Sequence, residues 1–154
     1  DHYCAAVSFA GESDNLKLQS QALSDLAQIH AERYDKTNAL TFMSLADTAA
    51  EETKDKKVIG LISSKNGKNC ERLNENSQAL KYYSNSAKSF YDIDDNINLA
   101  KKYQSAALIM LKYGNSAKAK NLLSKAFVAA SSTSDSELKS SIATQIANLN
   151  NAKI

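Results

Sequence analysis

Residues 117–130 read AKAKNLLSKAFVAA, and two earlier segments align with them at steps of 40 residues. These segments are TNALTFMSLADTAA at 37–50 and SQALKYYSNSAKSF at 77–90. Each has small residues at its third and tenth positions and a large residue, Met43, Tyr83 or Leu123, at its seventh. Small and large residues at intervals of four and three lie on one face of a closely packed helix. The pattern predicts an all-α chain with a 40-residue repeat.

A second predicted helix precedes each of these segments, because the same offset extends backwards to Leu23, Ser63 and Tyr103. We therefore predict a single domain with helix pairs at 14–53, 54–93 and 94–133, a half-pair at 1–13 and a terminal helix at 134–154. The predicted helices are 2–10, 15–34, 37–53, 55–73, 77–91, 96–113, 116–130 and 135–150.

Candidate helix caps support this division. Polar residues that suit N-caps are Asp14, Asp35 or Thr37, Ser77, Asp95 and Asn115, and Ser134 with Glu137 forms a Ser-x-x-Glu capping box. Gly114 lies between two periodic segments, where a left-handed residue commonly ends a helix. Gly60 and Gly67 lower the helix propensity of 55–73, which would permit a break or distortion in the helix predicted there.

The repeats resemble tetratricopeptide (TPR) units, most clearly in YQSAALIMLKYGNSAKAKNLLSKAF at 103–127. The matching aromatic, small, turn and packing positions are Tyr103, Ala107, Gly114, Ala119, Leu123 and Ala126. The 40-residue period exceeds the usual TPR value of roughly 34 and is similar to longer-repeat relatives such as the SNAP-type vesicle-fusion adaptors. HEAT arrays have a comparable period but fit the small-residue pattern less well. The resemblance implies a right-handed α-solenoid of about eight helices in antiparallel pairs.

Composition and charge favour a globular protein with an uneven charge distribution. The 154 residues contain no proline and four glycines, and 43% are hydrophobic. Residues 1–55 hold ten acids and four bases, whereas residues 56–154 hold seven acids and fifteen bases. The two cysteines lie far apart without a paired motif, which favours a reducing, cytoplasmic location. We expect no membrane span, and the first residue, Asp1, leads us to expect a segment of a longer chain.

No residue pattern predicts catalysis, a cofactor or a metal site. His30 falls at the repeat position of Cys70 and Met110, which indicates packing rather than general base chemistry. Cys4 and Cys70 have no neighbouring base in the sequence that would activate a thiolate. The acids at 92–95 lack the spacing of a calcium loop and fit a solvated turn between helices. We therefore predict a binding protein rather than an enzyme.

The predicted partner is another protein or peptide, with an acidic segment as one form of it, bound along one face of the first helix of each pair. This expectation follows from the TPR resemblance, because TPR grooves are commonly lined by that face. The residues on it are Gln21, Ser24, Gln28, Ser64, Lys68, Lys101, Gln104, Leu108 and Lys112. The Lys/Asn clamp by which some TPR domains hold a peptide carboxylate is not reproduced. Homo-oligomer formation stays open.

The alternative prediction is a basic nucleic-acid-associated or ligand-responsive regulatory domain. Residues 96–134 contain six lysines and no acid. These lysines are Lys101, Lys102, Lys112, Lys118, Lys120 and Lys125. Arginine is scarce and no nucleic-acid-binding motif accompanies the lysines, so we favour a solvated lysine face over a phosphate-binding one.

Overall fold

The computed structural model describes residues 15–151, in which the regular elements are seven α-helices and no strands. The helices are α1 Leu16–Glu32, α2 Lys36–Thr53, α3 Lys56–Arg72, α4 Asn76–Asp92, α5 Asn96–Lys112, α6 Ser116–Ser131 and α7 Ser136–Asn151. The predicted helix at 2–10 lies outside the described residues. Along residues 15–151, every helix is too short or too polar to traverse a lipid bilayer.

Five of the turns between helices use a left-handed residue, and these residues recur every 20 positions. They are Tyr34, Lys54, Asn74, Asp94 and Gly114, with φ between 56° and 73°. The prediction for Gly114 is confirmed, since its φ is 73°. The other four left-handed residues carry side chains, so the sequence offered no glycine to reveal them. Each helix pair is therefore two units of 20 residues, and each unit ends at a left-handed residue.

An acidic or amide residue follows these turns and caps the next helix. Asp35 accepts a hydrogen bond from the Asn38 amide at 3.3 Å, and Asp95 accepts one from the Asn98 amide at 3.1 Å. Asn115 does the same for the Lys118 amide at 3.1 Å. These three predicted caps are confirmed, which settles the choice between Asp35 and Thr37.

Two other predicted caps are wrong by one or two residues. Ser77 lies inside α4, which begins at Asn76. Ser134 does not cap α7, because the Asp135 carboxylate accepts the hydrogen bond from the Leu138 amide at 2.9 Å. Asp135 stands directly before the first helical residue, where its side chain reaches the exposed amides of the first turn.

Within the described residues, the contacts divide the chain into two compact units, residues 15–89 and residues 90–151. In the first unit, α1 packs on α2 and on α3, and α2 packs on α3. In the second unit, α5 packs on α6, and α6 packs on α7. Successive packing of neighbouring helices is the arrangement of an α-solenoid, so the predicted all-α fold class is confirmed. The right-handed sense and the single-domain assignment remain predictions.

The core of the first unit consists of small and branched side chains from three helices. Leu23 of α1 packs with the α2 alanines and with the apolar start of α3, and Phe42 covers this cluster. The remaining members are Ala46, Ala49, Ala50, Val58, Ile59 and Ile62. Alanines at these α2 positions bring the helices close together, as the small–large–small pattern predicted.

The middle pair, α3 and α4, is held partly by polar contacts. Ser86 donates to the Gly60 carbonyl at 2.7 Å, and the Asn85 amide donates to the Ser63 hydroxyl at 2.8 Å. The ring of Tyr83 lies against Gly67, where an added Cβ would be only 2.6 Å from Tyr83 Cε1. The helix predicted at 55–73 is confirmed, because α3 is continuous from Lys56 to Arg72, and the glycines produce no break in it. Gly67 provides space for an aromatic ring rather than a bend in the helix.

The core of the second unit lies where α5, α6 and α7 meet. Ala107, Ala119 and Leu123 are almost completely buried, at the positions that the repeat pattern predicted. Ile146 and Leu149 of α7 are partly buried against this cluster. The last helix thus covers the end of the α5–α6 pair.

Candidate functional site

The predicted binding face of the first unit lies on α1 and α3, and its residues differ in exposure. Gln21 and Lys68 are exposed, and the half-buried Gln28 donates to Glu32 Oε1 at 2.9 Å. Ser24 is fully buried and Ser64 is 8% exposed. These two serines therefore lie in the packing of the fold and not on a surface that a partner could contact. Small side chains at these positions let the two helices pack closely.

Two ion pairs join α1 to α3, each between residues 40 positions apart. Lys65 pairs with Asp25, and Arg72 Nη1 lies 3.5 Å from Glu32 Oε1. These ion pairs were not predicted, although opposite charges at equivalent positions of successive repeats would have indicated them. Partly exposed pairs of this kind contribute about 0–1 kcal/mol each. They leave Gln21, Lys68 and the 47%-exposed Leu61 as the accessible side chains of this face.

The predicted binding face of the second unit lies on α5. Lys101 and Lys112 are exposed, and Leu108 is 47% exposed. Gln104 is half-buried, and its amide donates to Gln145 Oε1 of α7 at 2.7 Å. Gln104 is therefore engaged in holding α7 to α5. The accessible part of the face is an exposed leucine with a lysine on either side of it.

The six lysines of 96–134 do not form one exposed basic face. Lys102 is only 6% exposed and has an interaction partner within the fold. Lys101 and Lys112 lie on α5, whereas Lys118, Lys120 and Lys125 lie on α6. The alternative prediction of phosphate binding is thus supported by five lysines on two helices and not by six lysines on one surface.

A cleft of about 610 Å³ separates the second helices α2 and α4 of the first unit. Asp47 lies in it with a buried Oδ1 that has no hydrogen-bond partner in the described part of the chain. Burial raises the pKa of Asp47, and the nearby Glu51 raises it further. Burial also raises the pKa of the adjacent Tyr82 to about 12. This cleft was not predicted, because its walls come from two repeats.

His30 and Cys70, the residues considered for catalysis, both contact neighbouring side chains of the first unit. The His30 ring stacks on Phe42 with centroids 5.3 Å apart, and its Nδ1 lies 3.0 Å from Asp35 Oδ2. The Cys70 thiol is buried 3.6 Å from Met43 Sδ, and burial raises its pKa to about 12. Within residues 15–151, no group of three or more His, Cys, Asp or Glu side chains could hold a metal ion.

The comparisons with known proteins identify a fold but no family. No protein-family model matches the chain, and no curated protein matches its sequence. The chain is similar in structure to BtubC (BKLC) from P. vanneervenii, with a TM-score of 0.78 and 15% sequence identity. The match covers 99% of this chain and 65% of that one. At this identity the likeness establishes the helical architecture alone.

Proposed function

We propose that the protein is a TPR-like interaction module whose first-helix faces bind a peptide or helix of a partner protein. The observation that carries this proposal is the exposure of Leu61 and Leu108, at 47% each, on faces that are otherwise polar. The exposed apolar area of each leucine is available to pack against an apolar residue of a partner, and removing such area from water contributes about 25 cal/mol per Å². The TPR affiliation rests on the packing residues Ala107, Ala119 and Leu123.

The α5 face suits an acidic partner. Lys101, Leu108 and Lys112 follow one another at intervals of seven and four residues, which places them along one side of the helix. Over this distance the helix rises about 16 Å, so the face spans about three turns. An amphipathic helix or an extended segment could place an apolar residue on Leu108 and a carboxylate beside each lysine.

The contact residues that we propose are fewer than the sequence predicted. Gln21, Leu61 and Lys68 form the accessible set in the first unit, and Lys101, Leu108 and Lys112 form it in the second. A cytoplasmic location belongs to the same proposal and rests on the wide sequence spacing of the two cysteines and on the free thiol of Cys70.

The test is photo-crosslinking from the α5 face. A photoreactive phenylalanine analogue at position 108 should capture a partner from cell extract, and mass spectrometry should identify it. The purified partner should then bind Lys101→Glu/Lys112→Glu at least tenfold more weakly than the parent protein. Equal affinities of the two proteins for the partner would show that this face is not the binding surface. Circular dichroism of the variant provides the folding control, since both lysines are exposed.

A further inference from the structure

A second cleft, of about 630 Å³, lies in the second unit between the end of α4, the turn that follows it, α5 and α6. Its floor is Leu99 and Ala129, which are 4% and 9% exposed. Tyr91, Tyr103 and Val128 line its walls. The volume falls within the range of ligand pockets, about 300–1,000 Å³.

The exposure of the cleft walls indicates a surface available for contact. Tyr91 is 67% exposed and Val128 is 72% exposed, although both are large apolar or aromatic side chains. Exposed apolar side chains grouped around a depression often mark a binding site. The rim polar groups Asn96 and Ser132 are hydrogen-bonded to each other at 2.9 Å. A ligand would therefore meet apolar walls at this side of the cleft.

This cleft is not the face proposed above for partner binding. An α-helix turns by 100° per residue, so Leu99 and Tyr103 point on average about 170° away from Lys101 and Leu108 around α5. The two surfaces lie on nearly opposite sides of the helix. Substitutions on one can therefore be used as controls for the other.

The charge beside the cleft comes from α6. Lys125 lines the cleft, and Lys118 lies on the same side of α6, two turns earlier and about 10 Å away. Both lysines are exposed, and Lys125 forms no ion pair with any residue in 15–151. The lining includes one carboxylate, Asp94, but residues 96–134 contain no acid that could neutralise the lysines.

We propose that the cleft binds an acidic, extended peptide segment of a partner protein, with one aromatic or aliphatic side chain of that segment seated between Tyr91, Tyr103 and Val128. Carboxylates of the segment lie beside Lys118 and Lys125. A segment in the extended polyproline II conformation advances about 3.1 Å per residue and returns to the same side every third residue, so acids three residues apart match the roughly 10 Å between the lysines. Val128 is one turn beyond Lys125, which places the apolar residue next to the second acid.

The experiment is an NMR titration of the ¹⁵N-labelled protein with the synthetic peptide acetyl-Glu-Ala-Ala-Glu-Phe-Gly-amide. We expect the shifting amides to cluster at 96–103 and 124–132. Lys125→Glu and Val128→Gln should each weaken binding about tenfold, since each removes one of the two proposed contacts. Leu108→Gln, a matched substitution of an exposed apolar residue on the opposite side of α5, should leave the affinity unchanged.

Altered peptides test the two contacts from the partner's side. Replacing the peptide's phenylalanine by serine should weaken binding as Val128→Gln does, and replacing both glutamates by glutamine should remove the dependence on salt concentration. All three protein variants change exposed residues, and their circular dichroism spectra and melting temperatures verify that they fold.

Several results would overturn the inference. The absence of amide shifts at millimolar peptide would refute binding at the cleft. Amide shifts confined to the Lys101 and Leu108 side of α5 would also refute it and would favour the face proposed above. Tighter binding of a single-stranded oligonucleotide, unaffected by Val128→Gln, would replace the peptide with a nucleic acid as the occupant. Loss of binding in Leu108→Gln but not in Val128→Gln would likewise refute the cleft while supporting the other surface.

Discussion

Replacement of Gly67 by alanine tests the packing of the middle helix pair. The new Cβ would lie 2.6 Å from Tyr83 Cε1 and 2.8 Å from Cδ1, which is closer than such atoms can approach. Tyr83 is 1% exposed, and its hydroxyl donates to Glu71 Oε2 at 2.5 Å. The ring is therefore held from both sides and cannot turn aside into solvent.

The expected loss of stability combines two opposing effects. Overpacking a buried site costs about 1–3 kcal/mol. Exchanging glycine for alanine within a helix recovers about 1 kcal/mol. We expect Gly67→Ala to lower the free energy of unfolding by up to about 2 kcal/mol, which for a chain of this size corresponds to a fall in Tm of up to roughly 8 °C.

Urea denaturation followed by circular dichroism at 222 nm measures this change. Lys68→Ala, at the exposed neighbouring position, is the control and should alter stability by less than about 0.5 kcal/mol. In a Tyr83→Leu background the ring is absent, so Gly67→Ala should become neutral or stabilising. Our account of α3 would be refuted if Gly67→Ala stabilised the parent protein, because helix propensity would then outweigh the contact with Tyr83.

Three further predictions follow from the turns, the α2–α4 cleft and the buried thiol. Lys54→Gly should raise the free energy of unfolding, measured in urea, by about 0.5–1 kcal/mol, because glycine adopts the left-handed φ of 56° without the steric cost that lysine has there. A lower free energy of unfolding in the variant would show that the Lys54 side chain stabilises the turn. Asp47→Asn should stabilise the protein by about 1 kcal/mol at pH 7. Because the folded pKa of Asp47 is raised, the stability difference between the variant and the parent protein should shrink as the pH falls through that pKa and vanish below the unfolded value of 3.8. Tm values of both proteins at pH 7 and pH 3.5 measure this change. An equal difference in Tm at the two pH values would contradict the prediction. In a Cys4→Ser background, Cys70 should react with Ellman's reagent at pH 8 only after denaturation, and rapid reaction of the native protein would show that the thiol is accessible.

The helices were predictable because the sequence repeats the information that defines them. Small–large–small spacing fixed the second helix of each pair, and the caps Asp35, Asp95 and Asn115 fixed three of the boundaries. No predicted end of a described helix differs from the structure by more than two residues. The match arises because periodicity and capping are local properties that a single chain displays directly.

The role of Gly67 in the middle pair was not predicted, because it depends on a residue 16 positions away. Gly67 considered alone weakens a helix, and Tyr83 considered alone is too large for a closely packed pair. Together they fit, since the glycine leaves the volume that the ring occupies. Compensation of this kind between two helices is visible only once their contact is known.

The candidate site was predictable as a helix face but not as a set of accessible side chains. Ser24 lies on the predicted face and is nevertheless buried, because α3 packs over that part of α1. Gln104 is drawn into a hydrogen bond with Gln145 of the last helix. The two clefts were missed altogether, because their shape depends on how side chains from separate helices meet.

The left-handed residues at 34, 54, 74, 94 and 114 also define where the chain could gain or lose length. Residues 54 and 94 have nearly the same φ, and each precedes an aspartate that caps the next helix, Asp55 and Asp95. Removing residues 55–94 would join Lys54 to Asp95 and recreate the same turn. Insertions or deletions of 40 residues at these points preserve every helix start and end. Other lengths separate the end of one helix from the left-handed residue and the capping residue that should follow it. The turns thus mark the joints at which such a chain can grow by duplication.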